Sequence, residues 1–296
     1  MKRAFLAGVA LAIALFLNSP EVSTGMAPQE PHAAQKPEVI FFDDFSGPAL
    51  DRSKWNVIVT GMTVNNEQQA YVDSADTISL VHGAQAEGAK NGALALQPRY
   101  RAGFTTPQNR KFDFISGRID TRGKVEFTYG TVSARIKLPA GAGLWPAFWL
   151  LGKGRWPDTG EIDIMENVGA PDWVSSALHG PGYSGNTPLT KRTSLPPKKD
   201  VTDWHVYSVD WKPQEITFKL DEEVVYHVTR PMVERYGAWA YDNPKFLILN
   251  FALGGGYPAA INRVSAPYPG LPDATVQLIK EDKVRVLVDW VRVTKN

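Results

Sequence analysis

The 296-residue sequence contains no cysteine. That excludes disulfides, thiolate zinc sites, iron–sulfur clusters and cysteine nucleophiles. It also lacks a charge imbalance: 32 Lys and Arg stand against 31 Asp and Glu, for a net charge of +1. This balance argues against an electrostatic nucleic-acid binder and a polybasic membrane surface binder. No apolar run reaches the roughly 20 residues of a membrane-spanning helix. No P-loop and no alternation of strands with helices is present, so nucleotide chemistry has no support.

What is present is a globular composition, 43% hydrophobic and 21% charged, with 13 Phe, 10 Tyr and 9 Trp. Lys2 and Arg3 precede an apolar run from Ala4 to Leu17, and small and polar residues follow. That is the layout of a secretory signal peptide over residues 1–25, with cleavage placed between Asn18 and Ala27. An uncleaved anchor is the alternative. Secretion or periplasmic export is expected, without stable membrane association. Residues 26–37 (MAPQEPHAAQKP in the sequence from Met26) read as a linker, and 38–296 as one domain.

The pattern within that domain is mostly strand. Val125, Phe127 and Tyr129 alternate with polar residues, as do Val132, Ala134, Ile136 and Leu138. His205–Trp211, Ile216–Leu220, Val224–Val228, Phe246–Leu253 and Val284–Val293 read as further strands. Short strands with turns about every ten residues predict an all-β, antiparallel sandwich or barrel. Helices are expected only at Met232–Gly237 and Ala274–Asp282.

One segment carries the chemistry: Gly160-Glu161-Ile162-Asp163-Ile164-Met165-Glu166-Asn167. In a strand, residues two apart share a face, so Glu161 and Asp163 point together while Ile162 and Ile164 enter the core. Strict alternation would bury Glu166 with the isoleucines. A one-residue β-bulge at Ile164 or Met165 would return it to the carboxylate face. Clustered carboxylates repel one another and raise a pKa, which acid–base chemistry on glycosidic bonds exploits. A solvated strand face and a divalent-cation site are the alternatives. Just upstream, Trp145 and Trp149 lie four apart and share a strand face; such rings stack on sugars or fill cores.

The order W-P-A-F-W-L-L-G followed by W-P-x-x-G-E-I-D-I-M-E-N resembles the signature of family 16 glycoside hydrolases, in their laminarinase-like branch. Asp43–Gly47, Asn65–Gln69, Ser116–Lys124, Leu178–Gly185 and Val288–Val293 extend the likeness along the domain. The resemblance implies a β-jelly-roll sandwich with a concave glycan-binding cleft and a monomeric, secreted, retaining endo-β-1,3-glucanase acting on a polysaccharide. It implies Glu161 as nucleophile, Asp163 as its helper and Glu166 as acid/base. It implies substrate contacts from Trp145, Trp149, His179, Asn65, Asn66 and Arg118, with Trp173 and Tyr183 as further aromatic candidates. No cofactor is expected for catalysis. A structural Ca²⁺ held by Asp44, Gly92 and Asp289 is expected from the same likeness. Mixed-linkage glucan, a galactan, transglycosylation and a non-catalytic glycan-binding module are the rival readings. Two departures stand out. Thr131 and Ser133 replace charged residues of the branch, and Gly254–Asp273 is longer than usual, with Tyr257 where a Trp is common.

Overall fold

A computed structural model describes residues 37–61 and 64–295. The expected signal peptide and most of the linker, residues 1–36, lie outside the described residues. Two sheets form the body. The first runs in the order 223–229, 215–220, 205–211, 130–137, 286–294, 93–96 and 78–81, with Val39–Asp43 also paired to Val286–Thr294. The second runs in the order 190–194, 173–179, 161–166, 144–152, 245–253, 118–120 and 56–57. All pairs in both sheets are antiparallel. Local hairpins such as 205–211 with 215–220 sit beside pairs of distant segments such as 130–137 with 286–294 and 144–152 with 245–253, the interleaving of a jelly roll.

Binary patterning explains which faces meet. In Gly130–Lys137 the even positions Val132, Ala134 and Ile136 are fully buried, while Thr131, Ser133, Arg135 and Lys137 face outward. Phe148, Leu150, Ile162, Ile164 and Met165 of the second sheet pack into the same core as Val132, Val209, Phe218 and Val288 of the first. The core is therefore the gap between the sheets, and burying these side chains is the main stabilising term. Thr131 and Ser133 belong to the first sheet, so the missing charges there bear on that sheet's outer surface.

Four expectations change. Residues 125–129 form no strand: the Thr121 hydroxyl donates to the Val125 carbonyl at 2.7 Å and closes a turn. Only Phe127 bridges to Lys245, and Phe127 and Tyr129 pack individually on Trp211. A parallel pair, Gln69–Tyr71 with Lys111–Ser116, sits in a small third sheet. The long segment after Gly254 contains a helix, Gly256–Asn262. The helix expected from Met232 is a single turn, Arg230–Val233, whereas Asp273–Lys280 forms as expected.

Candidate active site

The strand Glu161–Glu166 lies between Leu144–Gly152 and Trp173–His179. Trp149 faces Asp163 and Phe148 faces Met165, so Ile164 is the extra residue on that side. On the other side Asp163 faces Ala177 and Glu166 faces Ser175. The bulge inferred from the spacing is present, and the Ser176 hydroxyl donates to the freed Ile164 carbonyl at 2.9 Å. Ile164 and Met165 both enter the core, at 3% and 1% exposure. Glu166 thereby returns to the face carrying Glu161 and Asp163. The strand is preceded by Gly160, whose φ is +70° and where a Cβ would lie 2.3 Å from the Ala240 carbonyl oxygen. It is followed by Asn167, whose side-chain amide donates to the Ala170 and Trp173 carbonyls at 2.9 and 2.6 Å.

Each carboxylate has a distinct partner. The Trp156 indole donates to Glu161 Oε2 at 3.0 Å, and the Trp145 indole donates to Glu166 Oε1 at 2.9 Å. His179 Nε2 lies 3.1 Å from Asp163 Oδ2 and 3.8 Å from Glu161 Oε1. Burial, reinforced by the charge of Asp163, holds the Glu161 carboxyl well above the ordinary range. Burial and the charge of Glu166 do the same to Asp163, against a hydrogen bond to Glu161. Burial also raises Glu166; the Trp145 N–H opposes this and the charge of Glu67 adds to it. Three buried carboxyls this close retain protons at pH values where isolated ones have lost them. A cluster that holds both an ionised and a protonated carboxyl can supply a nucleophile and an acid.

The tryptophans share the cleft face as the spacing predicts. Trp149 donates to Asn250 Oδ1 at 2.7 Å, and Arg118 lies over its ring at 5.1 Å. Trp145 meets Tyr257 edge-on at 5.5 Å. Tyr257, from the lengthened segment, also contacts the Ser175 hydroxyl at 3.2 Å. Trp173 opens the neighbouring strand and carries Arg192 over its ring at 3.8 Å. His179 is that strand's last residue and stands opposite Glu161. Asn65 and Asn66 are exposed, in left-handed backbone at φ +55° and +57°. The Asn65 carbonyl accepts from the Gly256 N–H at 2.7 Å, which ties this turn to the segment bearing Tyr257. Tyr183 is a correction: it is 1% exposed and donates to the Ala238 carbonyl, a structural role.

The structure adds residues that sequence reasoning missed. Glu67 sits next to the expected Asn65 and Asn66 and accepts from Gln69 Nε2 at 2.8 Å. Burial raises its carboxyl while the nearby Arg118 charge opposes this. Tyr71 accepts from Asn250 Nδ2 at 3.1 Å, so Glu67, Tyr71, Arg118, Asn250 and Trp149 form one polar shelf beside the carboxylates. Trp156, 47% exposed, stands at the Glu161 end. Its signal was in the same W-P-x-x-G-E motif, but only its contact reveals the role.

The residues offered to Ca²⁺ lie around one segment but do not form a cation's donor set. Arg135 Nη1 donates to Asp289 Oδ2 at 2.6 Å, and the Lys90 N–H donates to Asp289 Oδ1 at 2.9 Å. Asp44 Oδ2 accepts from Asn91 Nδ2 at 2.7 Å, and its Oδ1 accepts from the Ser46 hydroxyl. The Gly92 position packs against the Phe45 carbonyl and the His82 ring. Ca²⁺ requires six to eight oxygen donors. A guanidinium and an N–H on Asp289 supply the compensation a cation would otherwise give, so the group does not fit.

A β-sandwich with two glutamates, an interposed aspartate and a tryptophan-lined face on one sheet defines a carbohydrate-active hydrolase. The comparisons agree: the sequence model of Glycosyl hydrolases family 16 matches residues 53–265, and the chain belongs to that family. It is 34% identical over 233 residues to a β-glucanase of Rhodothermus marinus, covering 74% of this chain and 77% of the relative. Its fold is similar to the endo-β-1,3-glucanase of Pyrococcus furiosus, with a TM-score of 0.73 and 35% identity over 87% of this chain and 94% of the other. It is also similar to the laminarinase of Rhodothermus marinus, with a TM-score of 0.71 and 29% identity over 88% and 98% of the two chains.

Proposed function

We propose that this glycoside hydrolase cleaves internal β-1,3 linkages of laminarin-like glucans with retention of configuration. The observation that carries the catalytic roles is the bulge at Ile164, which gathers Glu161, Asp163 and Glu166 on one face beside His179. Glu161 attacks the anomeric carbon while Glu166 protonates the departing oxygen. Asp163, carrying a proton, hydrogen-bonds Glu161 and steadies its charge as the glycosyl bond forms and breaks. Glu166 then takes a proton from water, which attacks the anomeric carbon and releases Glu161. Trp149 and Trp156 offer ring faces to sugars, Trp145 is buried at 8% exposure and acts through its N–H on Glu166, and Arg118 with Glu67 offers polar groups to hydroxyls. The similarity to β-1,3-glucanases supports the linkage.

The test is product analysis of the purified chain with laminarin, lichenan and agarose side by side, with anomers followed by NMR. Short oligosaccharides from laminarin, released first as the β-anomer, are expected. Cleavage of lichenan as well would widen the substrate to mixed-linkage glucan. Cleavage of agarose alone, or release of the α-anomer first, would overturn the reading. The N-terminal pattern further supports export; mass spectrometry of protein recovered outside the cytoplasm would show an N-terminus between residues 18 and 27.

A further inference from the structure

We propose that Glu161, Asp163 and His179 form a chelating site for a Zn²⁺-type transition-metal ion, which reversibly blocks the cleft. The sequence places His179 13 residues beyond Glu166, and strand pairing brings it directly opposite Glu161. One ligand atom from each of the three residues lies within 4.8 Å of the others. Donors bound tetrahedrally at about 2.1 Å from Zn²⁺ stand about 3.4 Å apart. The two separations from His179 Nε2, 3.1 and 3.8 Å, bracket that spacing. Only a small movement of the Glu161 side chain closes the set.

An independent observation points to a ligand. Asp163 Oδ2 is buried, on a side chain only 6% exposed; His179 Nε2 stands 3.1 Å from it without the geometry of a hydrogen bond, so the atom accepts none. A buried acceptor in that condition is unfavourable unless something electropositive meets it. The cluster also holds several mutually repelling carboxyls, and a divalent cation relieves that repulsion as a proton does. The donor set selects the ion. One imidazole and two carboxylates suit Zn²⁺ or Cu²⁺, whereas Ca²⁺ and Mg²⁺ require more oxygens. His179 and Glu161 keep 13% and 16% side-chain exposure, so the ion enters from the cleft and its fourth position faces outward. Among the described residues no other three such side chains gather in this way. His205 is ion-paired to a single carboxylate, Asp221, and His227 to a single carboxylate, Glu215.

An ion held there occupies Glu161 and excludes the sugar from that position. The inhibition rests on the role proposed above for Glu161; the binding does not. The experiment is calorimetric titration of the full chain with ZnCl₂ near neutral pH in a non-coordinating buffer, alongside laminarin hydrolysis with and without Zn²⁺. One site is expected in the unmodified protein, with a loss of affinity of about 10–100-fold or more in His179→Ala. Asp163→Asn removes a donor independently, should the first variant not fold. Hydrolysis is expected to fall with Zn²⁺ and to return with EDTA, with Mg²⁺ inert. Absence of binding, or equal binding in both variants, would overturn the site. His179-dependent binding with undiminished hydrolysis would uphold the site and overturn Glu161 as nucleophile.

Discussion

Lys245 offers the sharpest quantitative test of the site's foundations. Its side chain is fully buried, with Nζ donating to the Thr159 carbonyl at 2.6 Å, the Ala240 carbonyl at 3.2 Å and Asn243 Oδ1 at 3.2 Å. It also faces the Trp211 and Tyr241 rings at 5.6 and 5.4 Å. Burial pushes its pKa down from 10.5 to about 7, partly offset by the charges of Glu161 and Asp242. The folded state then disfavours the charged lysine. Below about pH 7 both folded and unfolded chains carry the proton, and the full penalty applies. Between about 7 and 10.5 only the unfolded chain binds it, so stability rises with pH. From these two pKa values the penalty is about 5 kcal/mol near pH 6 and about 1 to 2 kcal/mol near pH 9.5.

Lys245→Met removes the titration together with the three Nζ hydrogen bonds, although the Ala240 carbonyl keeps its bond from the Asn243 amide. Denaturant unfolding of both proteins at the two pH values isolates the lysine. The unmodified protein is expected to gain about 3 kcal/mol relative to the variant on going from pH 6 to 9.5. A stability difference that stays constant would show that Lys245 keeps its ordinary proton affinity in the fold, and would refute the reasoning. The site is affected too: Thr159 precedes Gly160 and Glu161, so the variant loosens the start of the catalytic strand.

Four other outcomes follow from the same geometry. Glu161→Gln and Glu166→Gln are each expected to lower kcat/KM by at least about 10³-fold on laminarin; near-normal turnover in either would remove that residue from the mechanism. Because burial and Asp163 raise the Glu161 pKa, its contribution is complete below the unfolded value and is lost as pH rises through the folded one. Glu161→Gln should therefore flatten the decline of stability with rising pH, read by melting temperature. Trp145→Phe removes the N–H that favours ionised Glu166, so the alkaline limb of the kcat/KM profile should move up; a fixed or lowered limb would contradict this. Ca²⁺ or a Ca²⁺ chelator should leave the melting temperature unchanged, since Arg135 already compensates Asp289, and a clear rise with Ca²⁺ would reverse that conclusion.

What was legible in the sequence was whatever local spacing dictates. The alternation in 130–137 and 205–211 fixes which side chains enter the core, and both strands form as read. The same alternation misled at 125–129, where Phe127 and Tyr129 find Trp211 one at a time and no partner strand is available. The box is the opposite case. Its break in alternation was the clue to the bulge, because a third carboxylate on the core face would have been untenable.

Residues contributed from a distance had no such signature. Glu67 falls inside the Asn65–Gln69 motif with no role of its own, and Lys245 lies just before the strand read from Phe246. Glu67 becomes part of the site because Asn250 joins Trp149 to Tyr71 across three segments. Lys245 matters because its strand pairs Lys245 with Gly152, which brings its amine to the Thr159 carbonyl. Both depend on register, which spacing within one segment does not encode. The chemistry divides the same way. The three carboxylates are specified within six residues, but the protons they retain are set first by burial and then tuned by Trp145, Trp156, His179 and Glu67, which arrive from other strands and loops. Changing those neighbours should therefore shift the pH dependence of the reaction while leaving its stereochemical course intact, whereas changing the bulge should abolish the reaction by turning Glu166 into the core.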